Sequence, residues 1–258
     1  MKKTFIICGI LASLAIAIGI ILVIVGGTSG LGDSYYTDES YTAQNEVSRI
    51  KLDVAAGTAK VGFYEGDSVQ IDYQTNQRYG FTVRESDGTL TIEQSHGVWW
   101  LNWGIMRKVP TAIIKIPRHC IPDLDIEIGA GSVDVDSGTY GKIKADVSAG
   151  KLNFGRIVCA DADCRVSAGD LSFDFVDCSY VSCNVSAGNA TFRTVKSDNI
   201  NIDVSAGNTT MYVLGSISDY TIHVNKSAGS CNLTTQIKPD AKKRIDIDVS
   251  AGSVNVHF

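Results

Sequence analysis

A short motif that ends in Ala-Gly recurs along this chain at a nearly constant interval. Its closing glycines are spaced by 19 residues four times in succession, and the last two intervals are 22 and 23 residues. These glycines are Gly131, Gly150, Gly169, Gly188, Gly207, Gly229 and Gly252. A unit of this length cannot bury an apolar face alone, so the copies have to stack on one another.

Within each copy, apolar and polar residues alternate, which is the period of a β-strand with one buried face. Apolar side chains recur seven, five and three residues before the closing glycine and two and four residues after it. The last of these positions holds Phe154, Phe173, Phe192 and Met211 in successive copies. Each copy therefore predicts two strands joined by a corner at Ala-Gly. There we expect an inward alanine, and a glycine that allows close backbone approach and φ values that other residues avoid.

Stacking of these copies predicts an all-β fold, a single-stacked parallel β-solenoid (β-helix) with turns of about 19 residues and columns about 4.8 Å apart. Residues 50–61 satisfy the same offsets. We therefore interpret residues 47–117 as an irregular N-terminal part of the solenoid and residues 118–258 as its regular repeats. Lys226 stands in an otherwise apolar column. The extra residues of its copy predict a bulge that turns Val224 inward and lets the lysine reach solvent.

The first 27 residues differ in composition from everything that follows. Lys2 and Lys3 precede an uncharged apolar run over residues 5–25, just long enough at about 1.5 Å per residue to cross a hydrocarbon core of about 30 Å. We interpret residues 1–27 as a cytoplasmic stub and an uncleaved transmembrane helix, and residues 28–46 as a polar linker. A cleaved signal peptide is the alternative. The flanking lysines predict a single-pass protein of the cell membrane with an extracytoplasmic C-terminal domain.

Several of these features occur together in one known family. They are the N-terminal anchor, the opening Leu52-Asp53-Val54-Ala55-Ala56-Gly57, a Trp-rich segment that leads to Ile114-Lys115-Ile116-Pro117, and the serial Asp-Val-Ser-Ala-Gly copies. Over about residues 46–258 the chain resembles the bacterial β-strand-repeat proteins called "putative adhesins", a domain family of unknown function. The resemblance implies a β-solenoid at the bacterial cell envelope, with some relatives linked to envelope-stress responses. It implies no catalytic residues.

Sequence patterns of catalysis are absent. The chain has no Gly-x-Ser-x-Gly elbow, phosphate-binding loop or His-Glu-x-x-His motif, and its formal net charge of −5 disfavours a nucleic-acid partner. We therefore expect no enzyme and no cofactor. The leading interpretation is a cell-envelope protein that presents a rigid solenoid for adhesion, scaffolding or envelope-stress sensing. The alternative is a β-helix enzyme acting on polysaccharides, although such enzymes place carboxylates in long loops that these regular turns lack.

Six cysteines follow the apolar N-terminal run, in a compartment that would permit disulfides. They are Cys120, Cys159, Cys164, Cys178, Cys183 and Cys231. The last of them and the pair Cys164 and Cys183 replace inward apolar residues, which favours buried thiols, while disulfide pairing stays open. Two successive Cys-x4-Cys units superficially suggest zinc. Because the spacing follows from the repeat and the two columns lie apart, we expect no metal.

One segment left over from the repeat is rich in tryptophan and is a candidate interaction surface. Trp99, Trp100 and Trp103 fall within five residues of one another. Aromatic side chains at such density suit a protein partner, a sugar or the bilayer interface. A lid over the open N-terminal end of the solenoid is the other interpretation, and we favour it because a solenoid end has to be shielded.

The second such segment is the C-terminal copy, which stops without further sequence to cap it. Its last strand carries Val254, Val256 and Phe258. An uncapped strand offers unpaired backbone groups and is a template for strand addition. We therefore expect this edge to contact another envelope protein or to self-associate into a polymerising scaffold.

Overall fold

A computed structural model of the protein describes residues 36–76, 80–95 and 109–258. Twenty strands of these ranges belong to one sheet. They are β1 Thr37–Thr42, β2 Arg49–Val54, β3 Thr58–Tyr64, β4 Gln70–Thr75, β5 Phe81–Ser86, β6 Thr89–Gln94, β7 Thr111–Pro117, β8 Asp123–Ile128, β9 Ser132–Val135, β10 Gly138–Thr139, β11 Lys142–Val147, β12 Lys151–Val158, β13 Asp161–Val166, β14 Asp170–Val185, β15 Asn189–Val204, β16 Asn208–Val213, β17 Tyr220–Lys226, β18 Ser230–Cys231, β19 Lys243–Val249 and β20 Ser253–His257. A short 3-10 helix covers Ile217–Asp219.

None of the described ranges contains a helix long and apolar enough to cross a bilayer. The transmembrane helix predicted for residues 1–27 lies outside them.

Most strands stack into two long parallel ladders, and a third, shorter one begins where β10 pairs with the end of β12. The first runs β6, β2, β8, β11, β13, β14, β15, β19, β17. The second runs β7, β3, β9, β12, β14, β15, β16, β20, β18. In the regular part, residues 19 apart lie side by side, as Ile143, Ala162 and Val181 do. The predicted all-β class and solenoid-like stacking are therefore confirmed.

Each regular coil turns at three corners, one more than the two-strand prediction implied. Two successive outward residues interrupt the alternation at Ser167–Ala168, Asp174–Phe175 and Ser179–Tyr180. Between these pairs, every second side chain faces the core. The predicted inward columns are confirmed by stacked rings: Phe173 lies 4.3 Å from Phe154 and 5.1 Å from the next phenylalanine, measured between ring centroids.

The Ala-Gly corner works by close approach of two backbones. A Cβ on Gly169 would lie 2.3 Å from the carbonyl oxygen of Gly150 in the adjacent coil, and the other regular corners are equally tight. The expectation of unusual φ values is wrong, because among the described glycines only Gly88 and Gly215 have a positive φ. The expectation of an inward alanine is also wrong. Ala168 and its equivalents are exposed, because the chain turns there and the buried position falls to the glycine.

The coils depart from chain order at the C-terminal end. β15 pairs with β19 and β16 pairs with β20, so the coil β19–β20 lies inside the stack. The coil β17–β18, which comes earlier in the chain, lies outside it at the end. The prediction that the C-terminal copy ends the solenoid with an open strand is therefore wrong, since β20 has a partner on each side.

The position of Lys226 fits this order. β17 pairs with β19 in unbroken register from Tyr220 beside Lys243 to Lys226 beside Val249. The predicted bulge is thus wrong. Lys226 is exposed because its coil is the outermost one, whereas an inner coil would bury the ammonium group at a high desolvation cost.

The N-terminal end shows the same inversion. The first coil, β2–β3, lies between β8–β9 and an outer coil made of β6 and β7. Beyond that outer coil, β5, β4 and β1 add to the sheet in antiparallel orientation. The predicted polar linker over residues 28–46 therefore ends earlier than expected, because β1 within it pairs with β4. The ring of Phe81 on β5 is fully buried against the end of the core.

Replacing Gly169 by Ala tests the close approach at the corner. The added methyl group would meet the Gly150 carbonyl oxygen at 2.3 Å, so the coils must separate there. We expect the free energy of unfolding to fall by at least about 2 kcal/mol, the scale of overpacking in a close-packed interior. Ala168→Ser is the matched control, one residue earlier and outward-facing, and should leave the melting temperature unchanged. Equal melting temperatures for both variants would contradict the proposed role of the glycine.

Engineered disulfides test the coil order. Asn208 lies beside Ser253, and Ser253 lies beside Ser230. Paired strands are about 4.8 Å apart and alternate strands about 9.6 Å, whereas a disulfide needs Cα atoms within about 7 Å. The double variant Asn208→Cys/Ser253→Cys should therefore form a cross-link on mild oxidation, mapped by peptide mass spectrometry. Asn208→Cys/Ser230→Cys should not, and a cross-link in this pair instead of the first would show that the coils follow chain order.

Candidate interaction site

The three C-terminal residues predicted to form an interaction surface lie in different surroundings. Val254 and Val256 are buried in the core, at 0% and 2% exposure, and offer no surface to a partner. Phe258 is 41% exposed, with its ring centroid 5.7 Å from that of Tyr220. Trp99, Trp100 and Trp103 lie outside the described residues, and their role stays a prediction.

The chain between β18 and β19 covers the outer edge of β17. Ile222 and Gln236 exchange two backbone hydrogen bonds of 2.8 Å, in antiparallel orientation. Beside them, the Val224 backbone N–H donates to the Thr235 hydroxyl at 3.0 Å. An exposed strand edge invites pairing with another chain. This covering segment removes much of that edge, so the end of the solenoid is closed by its own chain.

Side-chain amides complete the closure at both ends. Asn232 follows the short strand β18 and exchanges two hydrogen bonds of 2.8 Å with the backbone N–H and C=O of Val256. At the N-terminal end, the Gln94 amide oxygen accepts hydrogen bonds from the backbone N–H groups of Ala56 at 2.8 Å and Gly57 at 2.7 Å. Each amide satisfies backbone groups that a further coil would otherwise pair.

A pocket opens in the outer side of this end, within residues 217–243, which we call the C-terminal cap. Its volume is about 560 Å³. Its wall contains Ser218, Asp219, Ile237, Lys238, Pro239, Asp240, Ala241, Lys242 and Lys243. Ile237 is the most exposed large apolar side chain of the described residues, at 69%. Sequence reasoning missed this pocket because its residues belong to the insertion that lengthens the last two repeats.

The lysines of the cap differ in their partners. Lys243 lies 3.5 Å from a carboxylate oxygen of Asp198, and its ammonium nitrogen is 5.4 Å from the ring centroid of Tyr220. Burial raises the pKa of the Tyr220 phenol to about 12, so this ring stays neutral at physiological pH. Within the described residues, Lys226, Lys238 and Lys242 have no carboxylate oxygen within 4.0 Å.

A second candidate surface is a polar groove of about 650 Å³ on the side of the solenoid. Its side chains are joined across coils. Asn153 donates to Asp134 at 2.7 Å and accepts from Ser172 at 2.8 Å. Ion pairs flank this row, from Lys60 to Asp136 at 3.4 Å and from Arg193 to Asp174 at 3.6 Å. The groove therefore presents a fixed row of polar groups at the spacing of the coils.

The six cysteines of the described residues are free thiols, as the apolar columns favoured. Cys164 and Cys183 lie side by side in one strand column and are fully buried, and burial raises the pKa of Cys183 to about 12. Cys159 and Cys178 lie at a corner, where their mutual hydrogen bond, together with burial, raises the pKa of Cys159. A thiol held in its protonated form, as those of Cys159 and Cys183 are, is a poor nucleophile and metal ligand. The described residues contain no cluster of three or more His, Cys, Asp or Glu side chains arranged to hold a metal ion.

The family follows from these features and from a direct match. A family model described as Toastrack DUF4097 matches residues 47–258. The chain belongs to this family. The resemblance inferred from the repeats is thereby confirmed, and the family is one of unknown function.

Solved structures similar to this Toastrack chain come from several bacteria. A "putative lipid binding protein" from Parabacteroides distasonis has 12% identity and a TM-score of 0.52, over 88% of this chain and 98% of its own. A "putative adhesin" from Bacteroides fragilis has 12% identity and a TM-score of 0.45, over 87% and 98%. A "putative cell adhesion protein" from Clostridium sporogenes has 13% identity and a TM-score of 0.35, over 86% and 99%. At such identity the first of these shows a shared fold and nothing about activity. Comparison with proteins of curated function gives no match.

Replacing Asn232 by Leu tests the closure of the C-terminal end. The variant leaves the N–H and C=O of Val256 without partners, so we expect faster hydrogen exchange across β20 and a loss of about 1–3 kcal/mol in stability. Asn255→Leu, on the exposed face of the same strand, is the control. Equal exchange rates in β20 for the two variants would show that Asn232 does not protect this edge.

Proposed function

We propose that this Toastrack protein is a non-enzymatic binding protein of the bacterial cell envelope. In this proposal residues 1–27 anchor it in the membrane, and the solenoid stands outside the cytoplasm for adhesion, scaffolding or envelope-stress sensing. The observation that carries the proposal is the row of hydrogen-bonded polar side chains along the groove, from Asp134 through Asn153 to Ser172.

Such a row is suited to recognition because it is already ordered. The side chains hold one another, and their strands are fixed by the parallel ladders below. A ligand therefore meets groups that lose little conformational freedom on binding, which improves affinity without new contacts. Repetition at about 4.8 Å also suits an extended ligand that lies along the solenoid axis.

The membrane location rests on the composition of the N-terminus. The uncharged apolar run over residues 5–25 has the length of a bilayer span, and Lys2 and Lys3 precede it. Lysines on that side favour a cytoplasmic N-terminus and an external solenoid.

The polysaccharide-active enzyme is the second candidate, and the groove gives it little support. Glycoside hydrolysis needs two carboxyl groups directed at the scissile bond. In the groove, the carboxylates of Asp136 and Asp174 instead face Lys60 and Arg193, while that of Asp134 accepts from Asn153. These carboxylates hold neighbouring side chains of the groove in place and are not directed at a substrate position.

The location is tested with the full chain carrying a C-terminal epitope, expressed in a bacterium. We expect it in the membrane fraction, extractable by detergent but not by salt, with the epitope degraded when protease is added to spheroplasts. Removing residues 1–27 should release the chain from the membrane fraction. An epitope protected in intact spheroplasts would contradict the proposed orientation.

Binding is tested by cosedimentation of the full chain with purified cell-wall sacculi. The groove variant Asn153→Ala/Ser172→Ala should reduce the bound fraction severalfold, because both members of the polar row are lost. Asp163→Ala/Asp203→Ala, on another face of the solenoid, is the control for the same number of substitutions. Release of reducing sugar ends during incubation would instead support the enzyme, and equal binding by both variants would remove the groove as the binding surface.

A further inference from the structure

Positive charge is concentrated at one end of an otherwise acidic domain. The C-terminal cap holds four lysines and two aspartates, whereas the rest of residues 36–258 holds 17 basic and 25 acidic residues. A field of this shape repels a polyanion from the sides of the solenoid and attracts it to the cap.

The lysines of the cap are carried by a backbone held firmly against the last coil. Thr221 on β17 donates its hydroxyl to the Lys238 carbonyl at 2.8 Å and accepts from the Lys238 N–H at 3.2 Å. The chain then turns, and the Ala241 N–H donates to the same Lys238 carbonyl oxygen at 3.1 Å and closes the turn. This turn directs Lys238 and Lys242 to the wall of the same pocket.

Few groups in the pocket compete for these ammonium groups. The carboxylate of Asp219 accepts a hydrogen bond from the Ser216 N–H at 3.2 Å, within the 3-10 helix cap. Asp240 sits exposed on the turn and forms no ion pair among the described residues. Lys238 and Lys242, which pair with no carboxylate of the described ranges, are therefore available to an external anion.

The same end coil carries a third lysine that is exposed and lies outside the pocket wall. Lys226 lies at the far end of β17, five residues from Thr221, which is about 17 Å along a strand. No single small anion bridges that distance. A chain of anionic groups long enough to follow β17 would reach the lysines at both of its ends.

We propose that the C-terminal cap binds a linear phosphate-bearing polymer of the cell envelope through Lys226, Lys238 and Lys242. Repeated phosphodiester groups supply the charge, and each lysine that displaces a counterion from the polymer adds to the affinity. The proposal deepens the proposed function, and rests on it only for where the cap lies in the envelope.

Geometry favours a polymer over the membrane that would anchor the chain. The two end coils are eight strand spacings apart, which is about 38 Å. The eight residues 28–35 between the predicted span and the first described residue reach at most about 29 Å. The end face of the cap therefore cannot lie flat on that membrane.

The test uses the full chain in phosphatidylcholine nanodiscs, immobilised, with poly(glycerol phosphate) as the phosphodiester polymer and neutral dextran as comparator. We expect saturable binding of the phosphate polymer that weakens as salt rises, and none of dextran. Lys238→Gln/Lys242→Gln should weaken it at least about tenfold at low salt and flatten the salt dependence. Asp240→Asn should strengthen binding by removing an opposing charge from the pocket wall.

Lys51→Gln/Lys151→Gln removes two exposed lysines elsewhere that form no ion pair with any described residue, and should change affinity less than about twofold. An equal loss in this pair would show a response to net charge alone and overturn the proposal, as would no binding by the parent chain. Ile237→Ser distinguishes a phosphate polymer from the phosphate headgroups of a bilayer. It removes an exposed apolar side chain that a bilayer would bury, and it should leave polymer binding unchanged. Binding of phosphatidylglycerol vesicles but not polymer, abolished by Ile237→Ser, would replace the polymer with a bilayer.

These outcomes are independent of the test of location. If the solenoid is found outside the cytoplasm but the cap does not bind the polymer, only the polymer proposal is refuted. If the cap binds the polymer but the epitope is protected in spheroplasts, the proposed location is refuted and polymer binding by the cap stands.

Discussion

The approach of each corner glycine to the carbonyl oxygen of the adjacent coil is the contact on which the rest of this fold depends. At Gly150, Gly169, Gly188 and Gly207 a Cβ would lie 2.3 Å from that oxygen. Because the glycines allow this approach, the backbone N–H groups at the corner can donate to carbonyl oxygens of the adjacent coil. The Asp170 N–H, for example, donates to the Gly150 carbonyl oxygen at 3.0 Å. The strands on both sides of the corner are then held in register, and the inward side chains form continuous columns.

Stacking of this kind leaves an unsatisfied coil at each end, and the ends of this solenoid are where its chain departs from the repeat. Both ends place an earlier and a later coil in inverted order, and both use a side-chain amide, Gln94 or Asn232, in place of the missing backbone. The cap pocket and three of the four cap lysines, Lys238, Lys242 and Lys243, lie in or beside the segment between β18 and β19 that closes the C-terminal end. Features absent from the repeat are thus concentrated where stacking stops.

The repeat predicted the columns correctly because burial of one strand face leaves a direct mark on composition. Phe154, Phe173 and the thiols of Cys164 and Cys183 lie where the alternation put them. The orientation of Ala168 was not predictable from the same alternation, because the chain turns at that point and two successive residues face outward.

The order of the coils was beyond reach for a different reason. Neighbouring repeats carry nearly the same inward residues, so pairing energy hardly distinguishes one neighbour from another. Lys226 was the available signal, since a charged side chain in a core column belongs to a coil with solvent on one side. The interaction surface predicted at Val254 and Val256 was wrong because it assumed that the coils follow chain order, with the C-terminal copy last. The cap pocket could not be predicted from the repeat, because no other copy contains the residues that form it.

The inverted order has a consequence for how the domain is made. During synthesis β17 and β18 emerge before β19 and β20, yet their place is outside the coil that follows them. Until the later coil has docked on β15 and β16, the earlier one has no permanent neighbour. The C-terminal end therefore cannot fold strictly in the direction of translation. A chain that ends between β18 and β19 lacks the inner coil β19–β20 but retains the outer coil β17–β18, which has no neighbour without it.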